Sequence, residues 1–233
     1  SNGVELSLNT VNIKTKDFTW TTDFIYSHMH NEVTELNTYN RLYDYISGYG
    51  FTMPGYPQRS LFSIPFAGLN NEGLPTFYDP DGNITVTGID MQEYDPERLK
   101  FLKYEGPADP TDVGSLGNIF RYKNLTLNLF ITYSFGNVVR LDPVFSSEYS
   151  DLSATPKEFN NRWIKPGDEK FTNIPVIASR QQLNNLAYLS RAYQSYNYST
   201  ARVAKGDFIR MKEISLAYEF PKTLTQHLHL SNL

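Results

Sequence analysis

The chain has 233 residues, with 21 Lys and Arg against 25 Asp and Glu and a net charge of −4, and is long enough for one large domain or two small ones. Because phosphate binding requires clustered cations, this mildly acidic composition argues against a nucleic-acid partner. The chain has no cysteine, which excludes disulfide scaffolds, thiolate metal sites and cysteine nucleophiles. Its 17 Tyr and 15 Phe favour a folded chain over a disordered one.

The N-terminal segment alternates between apolar and polar residues. Val4, Leu6 and Leu8 share one parity, that of the even-numbered positions, and the odd-numbered positions between them are polar. A period of two predicts a strand with one apolar face. The alternation resumes after a short polar turn, so two strands at about 4–13 and 18–30 are predicted to form a hairpin.

A long stretch rich in turn-forming residues follows, from about 31 to 113. Its content of Gly, Pro and Asp is too high for long regular elements. We expect only a short helix near 40–46 and a small hairpin around Asp81-Gly82. Loops of this length are typical of a functional surface.

Two further strands, at about 116–122 and 125–135, are predicted around a tight turn at Lys123-Asn124. The second has the clearest alternation in the chain, with Phe130 as its one apolar exception on the polar face. Its apolar face carries Leu125, Leu127, Leu129, Ile131 and Tyr133, and its polar face carries Thr126, Asn128, Thr132 and Ser134.

A second irregular stretch, about 136–206, precedes a last strand at about 207–220, and residues 228–230 have the pattern of one more strand. Simple parity places Arg210 and Lys212 on the apolar face of the last full strand, whereas a β-bulge before Ile214 would turn them to the other face.

Short turns and long loops alternate strictly along this chain. This succession is typical of an up-and-down barrel in an outer membrane, which has tight periplasmic turns and long extracellular loops. We therefore predict an all-β fold of antiparallel strands, in which residues 1–233 form part of one large transmembrane β-barrel domain.

Four groups of residues, in order along the chain, resemble sequence signatures of the SusC/RagA family of TonB-dependent outer-membrane transporters. They are Gly3–Asn9 with Asp17–Trp20, Gly117–Leu125, Asn160–Trp163 with Pro166–Glu169, and Gly206–Pro221. The third group is similar to the family's "RW…PGD" loop. No plug domain is visible, so the resemblance implies a C-terminal part of the barrel.

The resemblance also implies a function. It implies energy-coupled uptake of oligosaccharides or peptides, with a SusD-like surface lipoprotein as partner, in the outer membrane of a Gram-negative, Bacteroidetes-like bacterium. Contact with outer-membrane lipid is expected, and coupling to TonB would pass through N-terminal parts that this sequence lacks. No enzymatic activity and no cofactor are expected.

Four aromatic residues of the second long loop are candidates for substrate contact: Trp163, Tyr188, Tyr193 and Tyr196. Tyrosines among Asn, Gln and Ser suit stacking on sugar rings or peptide side chains. The structural alternative is that these tyrosines pack the loops against one another. The Pro-Gly-Asp string likewise either contacts a ligand or fixes the shape of the backbone.

Metal binding and catalysis have little support in the sequence. The pairs His28/His30 and His227/His229 each share a strand face, but nothing completes a metal set. The run Asp79–Asn83 lacks the distal Glu of a calcium loop, so a turn is expected. Because no catalytic motif is found, a secreted hydrolase is disfavoured, and the alternative function is a soluble β-rich module that binds glycans through exposed tyrosines.

Overall fold

The computed structural model describes residues 1–48, 50–143 and 156–221. Antiparallel strands dominate this part of the chain, which confirms the all-β prediction at that level. The strands are β1 (Asn2–Lys14), β2 (Phe18–His30), β3 (Ser60–Ser63), β4 (Phe66–Leu69), β5 (Pro75–Tyr78), β6 (Ile84–Thr85), β7 (Lys103–Pro107), β8 (Asp112–Tyr122), β9 (Leu125–Phe135), β10 (Val138–Arg140), β11 (Val203–Lys205) and β12 (Phe208–Tyr218).

The helices are few and short. They are α1 (Leu42–Ile46), α2 (Pro96–Leu99), α3 (Arg180–Asn185) and α4 (Leu189–Asn197), with 3-10 turns at Lys157–Asn161, Asp168–Lys170 and Thr200–Arg202. No helix among the described residues is long and apolar enough to cross a membrane. The proposed strand at 228–230 lies outside the described residues.

The chain divides into two compact units. The first, the sheet unit, contains residues 1–31, 110–136 and 206 onward. Its described residues form one five-stranded sheet in the order β1-β2-β8-β9-β12, and every neighbouring pair is antiparallel. β8 begins at Asp112, earlier than the start near 116 that the alternation suggests, because Gly114 and Ser115 interrupt the apolar pattern without interrupting the strand.

Cross-strand pairing gives the sheet one apolar face. Partners opposite each other on neighbouring strands point to the same side, so the register Phe24–Leu116–Ile131 places three large apolar side chains in one row. We call this side the apolar face, and it also carries Val4, Leu6, Leu8, Trp20, Phe120, Leu125, Leu127, Leu129, Tyr133, Ile209, Met211, Ile214, Leu216 and Tyr218. The opposite side, the polar face, includes Thr126, Asn128, Thr132 and Ser134.

A β-bulge in β12 corrects the parity assigned to Arg210. The register shifts between Met211 and Glu213, so that Lys212 is the extra residue. Arg210 consequently lies opposite Thr132 on the polar face, while Ile209 and Met211 join the apolar face. Simple parity failed here because a bulge inverts the alternation on one side of itself.

Phe130, the apolar exception on the polar face, has a packing role. It lies opposite Gly117, and a Cβ at that glycine would be 3.6 Å from the Phe130 ring. On the apolar face Tyr133 covers Gly114 in the same way, and its hydroxyl donates to the Ile25 carbonyl. An aromatic side chain over a strand glycine restores the contact that the missing side chain would have made.

The second unit, the loop unit, consists of residues 32–109 and 137–205. The two long segments, expected to be almost without regular elements, form a shared hydrophobic core here. The expected helix near 40–46 is α1 and the hairpin around Asp81-Gly82 is β5-β6, whereas the other helices of the unit were not expected. The buried core residues are Leu42, Ile46, Ile64, Leu74, Phe77, Ile89, Met91, Leu99, Phe159, Ala178, Leu189, Ala192, Tyr193 and Tyr196.

Backbone hydrogen bonds join the two segments of the loop unit. The Ile64 amide donates to the Tyr198 carbonyl, and the Thr200 amide donates to the Ile64 carbonyl. The buried Arg140 guanidinium donates to the Phe62 carbonyl, and this burial lowers the pKa of Arg140 to about 10. Each segment therefore supplies hydrogen-bond partners for backbone groups of the other.

Candidate functional site

The Arg-Trp…Pro-Gly-Asp string folds into a loop closed by its own carboxylates. Asp168 Oδ2 accepts hydrogen bonds from the amides of Ile164 and Lys165, at 3.1 and 3.0 Å. Glu169 Oε2 accepts from the Gly167 amide at 2.8 Å and from Trp163 Nε1 at 3.0 Å. Gly167 has φ +104°, a value that L side chains rarely adopt.

This loop holds Trp163 in one position. The side chain is only 8% exposed, and the Trp163 amide donates to the Ile174 carbonyl. The indole lies against Gly73, where an added Cβ would be 2.5 Å from Trp163 Cδ2. Gly73 also has φ +76°, so both its backbone conformation and the indole require glycine at this position.

A groove of about 660 Å³ lies beside Trp163. Ligand sites of small molecules commonly have volumes of this order. We call it the Trp163 groove, and its lining residues are Asn71, Glu72, Trp163, Pro166, Val176, Ile177, Ser179, Gln181, Gln182, Asn185 and Leu186.

Helix α3 supplies one wall of the Trp163 groove. Ser179 caps the helix reciprocally: its hydroxyl accepts from the Gln182 amide, and its own amide donates to the Gln182 side-chain oxygen. This capping box fixes the start of the helix. Gln181 and Asn185 are four residues apart and therefore lie on the same helical face.

The structure places the four predicted contact residues in different environments. Trp163 lines the groove, while Tyr188 is 63% exposed and lies beneath the Arg191 guanidinium, 4.3 Å from its ring centroid. Tyr193 and Tyr196 are each 1% exposed. The Tyr193 hydroxyl donates to the Val176 carbonyl at 2.6 Å, and burial raises the pKa of Tyr196 to about 12.

Direct substrate contact by Tyr193 and Tyr196 would therefore require the core to open. Substrate contact by any of the four residues remains a prediction.

Sequence reasoning missed the amide side chains of the groove. Gln181 and Asn185 stand in a helix that was not expected. The sequence Ser179-Arg180-Gln181-Gln182 carries the capping-box pattern, which would have located the start of that helix.

The described residues contain no group of three or more His, Asp or Glu able to hold a metal ion. His28 Nδ1 lies 2.9 Å from Asp112 Oδ1, and His227 and His229 lie outside the described residues. In the run Asp79–Asn83 the Asp79 carboxylate accepts from the amides of Asp81 and Asn83, which is the geometry of a turn.

Comparison with curated proteins finds TonB-dependent receptors. The receptor P39 of Formosa agariphila is 26% identical, over 96% of this chain and 24% of its own length. SusC of Bacteroides thetaiotaomicron is 27% identical, over 94% of this chain and 20% of its own length. No protein-family model matches the chain.

Among solved structures, the RagAB peptide importer in its open-open state has a TM-score of 0.62 at 20% identity, covering 96% of this chain and 22% of that one. The chain is thus similar in sequence to TonB-dependent receptors, SusC among them, and similar in fold to the RagAB structure. The relatives are receptors by name, which agrees with the prediction that the chain is not an enzyme. The chain spans about a fifth to a quarter of the length of the receptors that it matches.

Proposed function

We propose that the chain is a barrel segment of a TonB-dependent importer in a Gram-negative outer membrane, taking up oligosaccharides or peptides together with a SusD-like lipoprotein. The observation that carries this proposal is the match to TonB-dependent receptors over 94–96% of the chain. Two features of the sheet unit support it.

The apolar face of the sheet suits a lipid environment. Val4, Ile209 and Leu216 on this face are exposed to more than half of their area. Contiguous apolar area of this kind is unfavourable in water and favourable in a bilayer. In the proposal the apolar face contacts outer-membrane lipid and the polar face lines the lumen.

The ends of the sheet also fit the proposal. The register His28–Asp112–Phe135 brings the ends of β2 and β9 to one end of the sheet. Both long segments therefore leave from this end, whereas the short turns at 15–17 and 123–124 lie at the other end. This is the arrangement of long extracellular loops and short periplasmic turns in outer-membrane barrels. The alternative of a soluble glycan-binding module has no corresponding support among the relatives.

The test is deletion of the gene in its native host, followed by complementation. Growth on oligosaccharides and on peptides as sole nutrient is compared, and the protein is located by membrane fractionation. We expect recovery in the outer membrane and loss of growth on one nutrient class, restored by the complementing gene. Unchanged growth on every nutrient, or recovery in the soluble fraction, would contradict the proposal.

A further inference from the structure

The polar lining of the Trp163 groove is almost entirely uncharged. It consists of the amides of Asn71, Gln181, Gln182 and Asn185 and the hydroxyl of Ser179, with Glu72 as the one charged group. Each amide offers both donors and an acceptor. No Lys or Arg stands among the described residues that line the groove.

Several of these amides are available to a ligand. Gln182 is occupied by the helix cap and by the Glu72 carbonyl. Within the described part of the chain, the side chains of Asn71, Gln181 and Asn185 make no hydrogen bond, and all three are exposed. Gln181 and Asn185, one helical turn apart, can address neighbouring groups of one ligand.

The apolar part of the lining completes an amphipathic site. Pro166 and Ile177 are exposed, and Trp163 contributes an edge held by Glu169. A pyranose ring presents C–H groups to such surfaces and hydroxyl groups to such amides. Sites of this type combine apolar walls with a few placed polar groups.

Other ligand classes fit less well. An extended peptide commonly binds by adding to the free edge of a strand, whereas helix α3 and loops form the lining here. A sulfated or uronic-acid sugar needs a cation to hold its negative charge, and the one charge in the lining is the carboxylate of Glu72.

We propose that the Trp163 groove binds a neutral oligosaccharide, with Gln181 and Asn185 as hydrogen-bonding residues. This inference rests on the proposed function, because it selects one of the two nutrient classes and assigns it to named residues.

The experiment measures binding by isothermal titration calorimetry to the protein expressed in full from its native gene and purified in detergent. The probes are neutral hexasaccharides of glucose, xylose and mannose, a sulfated galactan hexasaccharide and an Ala-Gly hexapeptide. The variants are Gln181→Ala and Asn185→Ala. The matched control is Asn184→Ala, a neighbouring exposed residue of α3 that does not line the groove.

We expect at least one neutral hexasaccharide to bind and each groove variant to weaken its Kd by about five- to tenfold, the effect of one lost hydrogen bond. Asn184→Ala should bind as the wild type does. Unchanged affinity in both groove variants would overturn the inference, as would hexapeptide or sulfated-galactan binding that the groove variants weaken. The growth test of the proposed function is independent of these results. If the protein imports neutral sugars but Gln181→Ala and Asn185→Ala leave its affinity unchanged, this inference fails and the proposed function stands.

Discussion

One carboxylate oxygen, Glu169 Oε2, fixes the Trp163 indole by accepting from both Trp163 Nε1 and the Gly167 amide. The indole N–H, followed by the backbone amides, lowers the pKa of Glu169 below its usual value of 4.5. A carboxylate whose pKa is lowered by folding stabilises the folded state above the unfolded pKa. That contribution disappears as pH falls through the folded pKa.

Acidification should therefore weaken the loop around Trp163, and Trp163→Phe should reduce this effect because it removes the indole N–H. We expect the melting temperature to fall less in the variant than in the wild type when pH is lowered from about 6 to below the unfolded pKa of Glu169. Thermal unfolding followed by circular dichroism at several pH values measures the melting temperatures of both proteins. An equal pH dependence in the two proteins would show that the bond contributes nothing.

Tyr193 and Tyr188 form a matched pair of one buried and one exposed tyrosine. Tyr193→Ala should lower the free energy of unfolding by about 3–5 kcal/mol, as truncation of a buried aromatic residue does. Tyr188→Ala should cost at most about 1 kcal/mol, since its ring contacts mainly an exposed guanidinium. Guanidinium chloride titrations of both variants give the comparison, and similar costs would contradict the assignment of Tyr193 to the core.

The bulge at Lys212 determines which side chains of β12 meet water in the proposed barrel. In the full protein in native outer membranes, Arg210→Cys should react with a membrane-impermeant maleimide through the lumen, whereas its neighbour Ile209→Cys should be protected by lipid. These 233 residues contain no cysteine, and labelling of the full protein without an introduced thiol gives the background to subtract. Faster labelling at 209 than at 210 would mean that the strand has no bulge.

The two faces of β9 predict opposite responses to charge. Leu129 lies opposite Ile214 on the apolar face, and Asn128 lies opposite Ser215 on the polar face. Leu129→Arg should destabilise the folded barrel by about 2–4 kcal/mol if it lies near the bilayer midplane. Asn128→Arg should cost little. Urea titration of the barrel refolded into vesicles distinguishes them, and equal costs would reverse or abolish the assignment of faces.

The strands of the sheet unit could be predicted because each has one apolar and one polar face, so apolar and polar residues alternate with a period of two in the sequence. The bulge stayed an open alternative, since Lys212 inserts a single residue without changing the composition around it. The core of the loop unit was equally hidden: Phe66 and Tyr196 pack together from segments far apart, and neither segment has a sustained period. Trp163 could be selected as a candidate because it belongs to a family motif. Gln181 and Asn185 could not, because their common face is recognisable only once the position of helix α3 is known.

At the scale of the whole molecule, the loop unit needs both of its segments. Replacing residues 137–205 by a short Gly-Ser turn would expose Ile64 and other core residues of the first segment. We therefore expect residues 32–109 to become sensitive to trypsin in the full protein, with the sheet strands still protected. Mass spectrometry of the fragments maps the cleavage sites, and a first segment that stays resistant would show that it folds independently.

The shared core of the loop unit also sets an order of events during biogenesis. Residues 32–109 are made first, but the core that contains Leu42, Ile64 and Phe77 is complete only after residues up to about 200 have been synthesised. Contacts between distant segments form slowly, because the entropy cost of closing a long loop comes before the stabilising contacts form. During this interval part of the apolar surface of the first segment is uncovered and prone to aggregation, so we expect this segment to need a chaperone on the way to the membrane.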